Sequence, residues 1–332
     1  MPEAAVMVRE LTLGEAIREA FAEEMRRDPR VFVMGEDVAE AGTAFKVLTG
    51  LVDEFGPDRV LDTPISEAGF TGIGVGAAMT GLRPVVDIMF GDFAGLIMDQ
   101  MANQAAKIHY MSGGKWSVPM VLRTTLGASR RSAAQHSQSL HAWFCHIPGL
   151  KVVMPSTPYD AKGLLKSAIR DENPVVFYED KMMYRMKGPV PEGEYTIPLG
   201  VADVKRSGED VTIIATSSMV TVALGAAKML EEYDISAEVV DPRTLWPLDE
   251  ETLLKSARKT HRVIVVDEGY ERYGVTAEFA ALIQEHAFFD LEAPVKRMGA
   301  MHVPIPFSPP LEDATVPTEE SVFDAARALC GK

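Results

Sequence analysis

The sequence predicts two α/β domains in tandem, each of three layers: a mostly parallel sheet with helices on both faces. Three observations predict it. Short apolar runs of strand length alternate with helical periodicity from residue 31 to residue 178, as expected of strands buried on both faces. The rhythm breaks over 181–199, KMMYRMKGPVPEGEYTIPL, which holds three prolines and two glycines and reads as a connection. A second, shorter alternation then runs from 211 to 329. These features set the expected domains at 1–185 and 200–332, with a linker over 186–199.

The elements follow in order. Thr12-Leu13-Gly14-Glu15 reads as a capping box, and Leu13, Ala16, Ile17, Ala20, Phe21 and Met25 recur at helical spacing. Asp28-Pro29 ends that helix. Val31–Met34 is a short apolar strand running into Gly35-Glu36-Asp37. Further strands are expected at 59–61, 84–89, 118–122, 151–154 and 174–178. Helices are expected over 67–81, 93–110 and 158–171, the last with Pro158 suited to its first turn. In the second half, strands at 211–215, 237–240, 262–266 and near Val295 alternate with helices near 218–232, 250–259, 274–287 and 319–329. There is no repeat at a fixed period.

Bulk properties exclude several classes. The chain has 332 residues, 47% hydrophobic and 24% charged, enough for two domains with substantial cores. Its formal charge of −15 disfavours a nucleic-acid or anionic-membrane surface, which needs a basic footprint. Small anionic substrates stay open, because local cations can bind them. Two cysteines, Cys145 and Cys330, make neither a disulfide framework nor a thiolate zinc cage, and suit a reducing cytoplasm. The first residues, MPEAAVMVRELTLGEA, lack the basic and apolar regions of a secretory signal. No apolar run approaches the ~18 residues of a membrane span.

The segment Val60–Pro84 carries five glycines between Gly69 and Gly81, and Gly72-Ile73-Gly74-Val75-Gly76-Ala77 fits a dinucleotide-binding pattern. That fingerprint opens a helix directly after a strand and has an acid about 20 residues on. Here the glycines lie inside the expected helix, well beyond the strand ending at Leu61, so the context fails. Small residues at helical spacing instead let another surface approach closely. Glu67 then sits in the N-terminal turn, where an acid can simply cap the helix or can face a cofactor or subunit.

Five blocks, DTPISE (62–67), GAAMTGLRPV (76–85), AAQHSQ (133–138), PGLKVVMPS (148–156) and AIRDENPVVF (168–177), occur in order. Together they resemble the beta subunit of the thiamine-diphosphate-dependent decarboxylating component of 2-oxoacid dehydrogenases, pyruvate and acetoin branch. The resemblance runs from about residue 10 to 325. It implies a transketolase-like pyrimidine-binding domain followed by a transketolase C-terminal-type domain. It also implies an alpha subunit in an α2β2 heterotetramer and a dihydrolipoyl acyltransferase core. The Gly-Asp-Gly motif for magnesium and diphosphate belongs to the alpha subunit, and Gly91-Asp92-Phe93 lacks its second glycine.

By this resemblance Glu67 is the acid that hydrogen-bonds the aminopyrimidine ring of thiamine diphosphate. Its neighbours Ile65, Phe70 and Ile73 are apolar, and desolvation would suit it to sharing a proton near neutrality. Phe93 matches the aromatic that stacks on the pyrimidine and Met89 another pyrimidine contact, although both could be core. His136 matches a histidine implicated in acyl transfer to a lipoyl group; His141 and His146 read as structural. Asp171 and Asn173, with carbonyls of Met120, Ala168 and Ile169, match a potassium site; as bare sequence they read as a helix end before Pro174. Arg130 and Arg131 replace a glycine-rich approach to His136 and could meet a substrate carboxylate, an acidic carrier or solvent.

The expected substrate is a small 2-oxo compound. A transketolase relative would carry both cofactor-binding halves on a chain of roughly twice this length. A second alternative is a mainly docking subunit, with Ala300–Phe307 and the last helix at an interface. The failed fingerprint disfavours a nicotinamide dehydrogenase.

Overall fold

The computed structural model describes residues 7–332; the reading of the first residues as no leader lies partly outside them. The chain divides into two compact units. One takes the chain up to Thr125 together with Trp143–Leu199, and the other takes Leu126–Ala142 with Gly200–Lys332.

In the first unit, strands follow the order 151–153, 175–180, 121–126, 83–88, 31–35, 60–62 across one sheet. The pairings of Val31–Gly35 with its two neighbours, of Arg83–Ile88 with Val121–Leu126 and of Lys151–Val153 with Val175–Asp180 are parallel. The helices Leu13–Arg27 and Pro158–Arg170 pack against it, and Leu13, Ile17, Phe21, Val33, Val85, Leu164 and Phe177 lie in one buried cluster. The first helix starts as its sequence dictates, with a reciprocal capping box between Thr12 and Glu15. Thr157 accepts from the Asp160 amide at the start of the second.

Local rules misplaced several elements. The strand expected at 118–122 runs over Val121–Leu126, because Pro119 has no amide to give a ladder. The connection holds a strand, Lys187–Pro191, paired antiparallel with Val8–Thr12 as a separate ribbon, where Pro189 and Pro191 suit an edge. The helix expected over 93–110 is broken into a 3-10 turn Gly91–Phe93, a short α-helix, a π-helical stretch Asp99–Ala105 and a last turn Ile108–Met111. No proline or glycine within 99–105 signals this.

In the second unit the strand order is 296–300, 263–270, 211–215, 237–241, 203–206. The first four are parallel and the edge strand Asp203–Arg206 is antiparallel. Helices Met219–Leu230 and Glu319–Leu329 bury Val220, Ala223, Val322, Phe323 and Ala326 in its core. Residues 126–142, expected within the first domain, group with this unit. The ties responsible join residues more than a hundred positions apart: the Ala128 amide to Glu268, Arg131 to Glu312 and His141 to Asp267.

Candidate active site

Ligands of open α/β sheets sit beyond the carboxyl ends of the strands. In the first unit three adjacent strands, 60–62, 31–35 and 83–88, end together: Gly35 is level with Asp62 on one side and Asp87 on the other. A side chain at Gly35 would put its Cβ 2.5 Å from the Asp87 carbonyl oxygen, so only glycine allows this closure. From these ends emerge Glu36, the segment Met89–Phe93 and, after a short loop, Glu67.

Glu67 is the first residue of the helix Glu67–Met79, and the N-cap Ser66 makes no side-chain cap bond. Its residue is 9% exposed, and among the described residues its carboxylate has no hydrogen-bond or ion-pair partner. Burying an acid without a partner is unfavourable, although the helix N-terminus offsets part of that cost. Glu36, which sequence reasoning missed, faces the same problem: its Oε1 is buried without a partner among the described residues. Burial pushes its carboxyl up, and the nearby charges of Glu67, Asp37 and Asp87 add to the effect. Its position one residue past a strand end was the available signal.

The surroundings expected to desolvate Glu67 differ in the chain alone. Phe70 is buried, but Ile65 is 84% and Ile73 61% exposed. The helix packs through Gly74, where a Cβ would lie 2.5 Å from Val86, while Gly69, Ile73 and Gly76 face outward. The glycines therefore serve packing on one face and leave a small apolar surface on the other; none opens the helix as a dinucleotide loop would require.

Phe93 closes the 3-10 turn after Met89 and is half-buried. Its ring meets Phe90 edge-on at 5.9 Å, and Phe90 meets Phe45 at 5.7 Å. Met89 is half-buried, with its carbonyl accepting from Thr125 Oγ1 at 3.1 Å. Beneath this segment lies a buried charge network that local sequence patterns did not reveal. Arg123 donates to Glu179 at 2.7 and 2.5 Å and also pairs with Asp87. Burial pushes both carboxyls up and Arg123 only partly pulls them back.

The expected potassium ligands gather at the end of Pro158–Arg170. Arg83 Nη1 donates to the Ile169 and Asp171 carbonyls at 2.9 and 3.0 Å. The Ala168 carbonyl accepts from the Asp171 amide and that of Met120 from the Val175 amide. The Asp171 carboxylate takes Lys151 and both the amide and side chain of Asn173. Glu172 and Asp28 pair with Arg83 in turn.

His136 lies in the second unit, half-buried, its amide 3.4 Å from the Ala133 carbonyl. His141, five residues on, is buried with Nε2 3.0 Å from Asp267. Burial opposes the Asp267 charge, but His141, Thr216 and the Gly269 amide outweigh it and hold the carboxyl below its usual range. His141 is thus held within the second unit by Asp267. Arg131 is engaged by Glu312 and Asp313 rather than free for a ligand.

Two α/β units with acids and aromatics at the strand ends of the first agree with the transketolase class, which the family matches show. The transketolase pyrimidine-binding domain family matches residues 9–187 and the transketolase C-terminal domain family residues 200–322. A split-gene transketolase, solved as an inactive beta4 tetramer, superposes with a TM-score of 0.79 at 25% identity over 97% of this chain and 98% of that one. The chain is 52% identical to the acetoin:2,6-dichlorophenolindophenol oxidoreductase subunit beta of Bacillus subtilis, over 98% of this chain and 99% of that one. It is 48% identical to the 2-oxoisovalerate dehydrogenase subunit beta of the same organism, over 95% and 97%. It is 47% identical to the pyruvate dehydrogenase E1 component subunit beta of Rickettsia felis, over 97% and 98%. The chain belongs to the family of beta subunits of 2-oxoacid and acetoin dehydrogenases. No helix among the described residues is long and apolar enough to cross a membrane.

Proposed function

We propose that this chain is the beta subunit of a thiamine-diphosphate-dependent dehydrogenase component acting on pyruvate, acetoin or a similar small 2-oxo compound. One observation carries the reading: Glu67 is a largely buried residue at a helix start beyond the strand ends, with no partner for its carboxylate among the described residues. Such a group calls for a polar ligand atom, and a ring nitrogen of an aminopyrimidine meets that need. Phe93 offers a flat face to a heteroaromatic ring, with Met89 beside it. When bound, thiamine diphosphate supplies the electron sink for cleaving the bond next to a carbonyl. Glu67 holds a proton at its carboxyl oxygen against the ring. Glu36 is a second acid nearby, its own carboxyl pushed up by burial and then by the charge of Glu67.

The magnesium and diphosphate site belongs to an alpha partner in an α2β2 assembly, since this chain has no Gly-Asp-Gly motif. The exposed face with Ile65, Ile73 and Gly76 supports a subunit surface there. The reading also includes a pyrimidine-binding domain over 1–185, a linker over 186–199 and a C-terminal domain over 200–332. It includes a dihydrolipoyl acyltransferase core as acceptor and potassium at Met120, Ala168, Ile169, Asp171 and Asn173. A cytoplasmic location accords with a chain that has only two cysteines.

Co-expression with the alpha chain encoded beside it tests the reading. Dye reduction with pyruvate, acetoin or 3-methyl-2-oxobutanoate should require both chains and thiamine diphosphate, and should weaken when sodium replaces potassium at equal ionic strength. Turnover by the isolated chain would refute the shared site, and equal activity in both salts would remove potassium. His136 acts in acyl transfer, so His136→Ala should lower lipoyl-linked turnover about a hundredfold while lowering dye-linked turnover less. Equal losses in the two assays would refute that role.

A further inference from the structure

The loop that carries His136 follows an unusual backbone course. Ser129, Arg131 and Ala133 all adopt left-handed conformations, with φ of 67°, 58° and 59°. Three such residues in five positions, none of them glycine, persist only when surrounding contacts impose them. The contacts centre on Arg131. Its amide donates to Glu312 Oε2 at 3.1 Å and its Nη1 donates to the same oxygen at 2.7 Å. The guanidinium also forks onto Asp313 at 2.6 and 3.0 Å and reaches the Pro309 carbonyl at 3.2 Å. Glu312 is fully buried, and its Oε1 has no partner among the described residues. Arg131 is therefore the cation that compensates a buried carboxylate, a geometry that is strongly penalised if one partner is removed.

The neighbouring anchors show what depends on it. The Ala128 amide donates to Glu268 Oε1 at 2.6 Å and His141 meets Asp267 at 3.0 Å. Between Ala128 and His141, Arg131 supplies the tie to the Pro309–Asp313 helix, and the backbone reaches His136 through the left-handed Ala133. A planar fork specifies a direction as a lysine ammonium does not.

We propose that Arg131 is a positioning residue, fixing the course of the loop that presents His136 by clamping it to Glu312 and Asp313. The inference rests on the reading of His136 as the acyl-transfer residue. Its guanidinium is taken up by Glu312, Asp313 and the Pro309 carbonyl, so its effect on His136 runs through the backbone.

The test uses the enzyme assembled with its alpha subunit and compares Arg131→Ala, Arg131→Lys and Asp313→Asn. Displacing a positioned group lowers its contribution steeply, so the ratio of lipoyl-linked to dye-linked turnover should fall about tenfold in Arg131→Ala. Arg131→Lys should restore it only in part, and Asp313→Asn should fall in between. Amide exchange across 128–138 should accelerate while that of the Val263–Tyr270 strand stays as in the unmodified enzyme. Arg131→Ala combined with His136→Ala should show the ratio of His136→Ala alone. An unchanged ratio with unchanged exchange would overturn the proposal, as would full rescue by lysine. If Arg131→Ala does not assemble, Asp313→Asn, altered at an exposed position, decides by the same two readouts. If His136→Ala itself leaves the ratio unaltered, the His136 reading fails, and the exchange rates still decide whether Arg131 is the clamp.

Discussion

Glu67→Gln assembles with the alpha chain as the unmodified protein does, yet turns over roughly a thousandfold more slowly, the scale of a lost general acid–base contribution. The substitution keeps size and polarity, so the helix Glu67–Met79 still starts at the same place and still presents a hydrogen-bonding group. What it removes is the ability to gain and release a proton. Because Ser66 makes no side-chain cap bond and Glu67 has no partner among the described residues, no bond seen there is broken. Thermal unfolding of the assembly should therefore shift little, while kcat for dye reduction collapses for every accepted substrate. Glu67→Ala should lose activity at least as far and weaken cofactor retention as well. A Glu67→Gln enzyme retaining more than a tenth of its turnover would show that the acid is only a helix-start residue.

The second large effect is on stability. Arg123→Met should destabilise the first unit by about 3–5 kcal/mol, because it leaves Asp87 and Glu179 buried without their cation. All three side chains are almost wholly buried, and Tyr184 adds its hydroxyl at 3.4 Å. Protonating the two carboxyls would limit the loss, since burial already pushes both up. Replacing all three charged residues by apolar ones of similar size should cost much less than the single change. Urea denaturation of the single and triple variants gives the comparison. A single variant within ~1 kcal/mol of the parent would mean that water reaches the network.

Much of the fold was legible because it is written locally. Thr12 and Glu15 announce a helix start in four residues, Thr157 and Pro158 announce another, and apolar runs such as Val211–Ala215 are strands on both counts of length and composition. What escaped was set by partners distant in sequence. Arg123, Glu179 and Asp180 look like the polar ends of strands, yet they extend them, because Arg123 finds Asp87 and Glu179 at separations of 36 and 56 residues. The transfer of 126–142 to the second unit depends on Glu268, Glu312 and Asp267 in the same way. The ribbon of Val8–Thr12 with Lys187–Pro191 joins the two ends of a domain.

The site shows the same division. Glu67 was named from a motif and Met89 and Phe93 from the resemblance, and the first unit places all three at or beyond the strand ends. His136 was named likewise and lies in the other unit. Glu36 was passed over because a lone acid after a strand carries no motif; its significance comes from Gly35, which lets three strands close and brings Glu36 near Glu67. Arg131 was noticed as a departure, but its partners, some 180 residues on, could not be read from spacing.

A structure of the chain assembled with its alpha subunit and thiamine diphosphate is the most direct measurement. It should show a Glu67 carboxyl oxygen about 2.6–3.2 Å from a pyrimidine ring nitrogen, hydrogen-bond reach for a proton-sharing pair. A cofactor bound with that carboxyl turned elsewhere, or met by another acid in its place, would contradict the account.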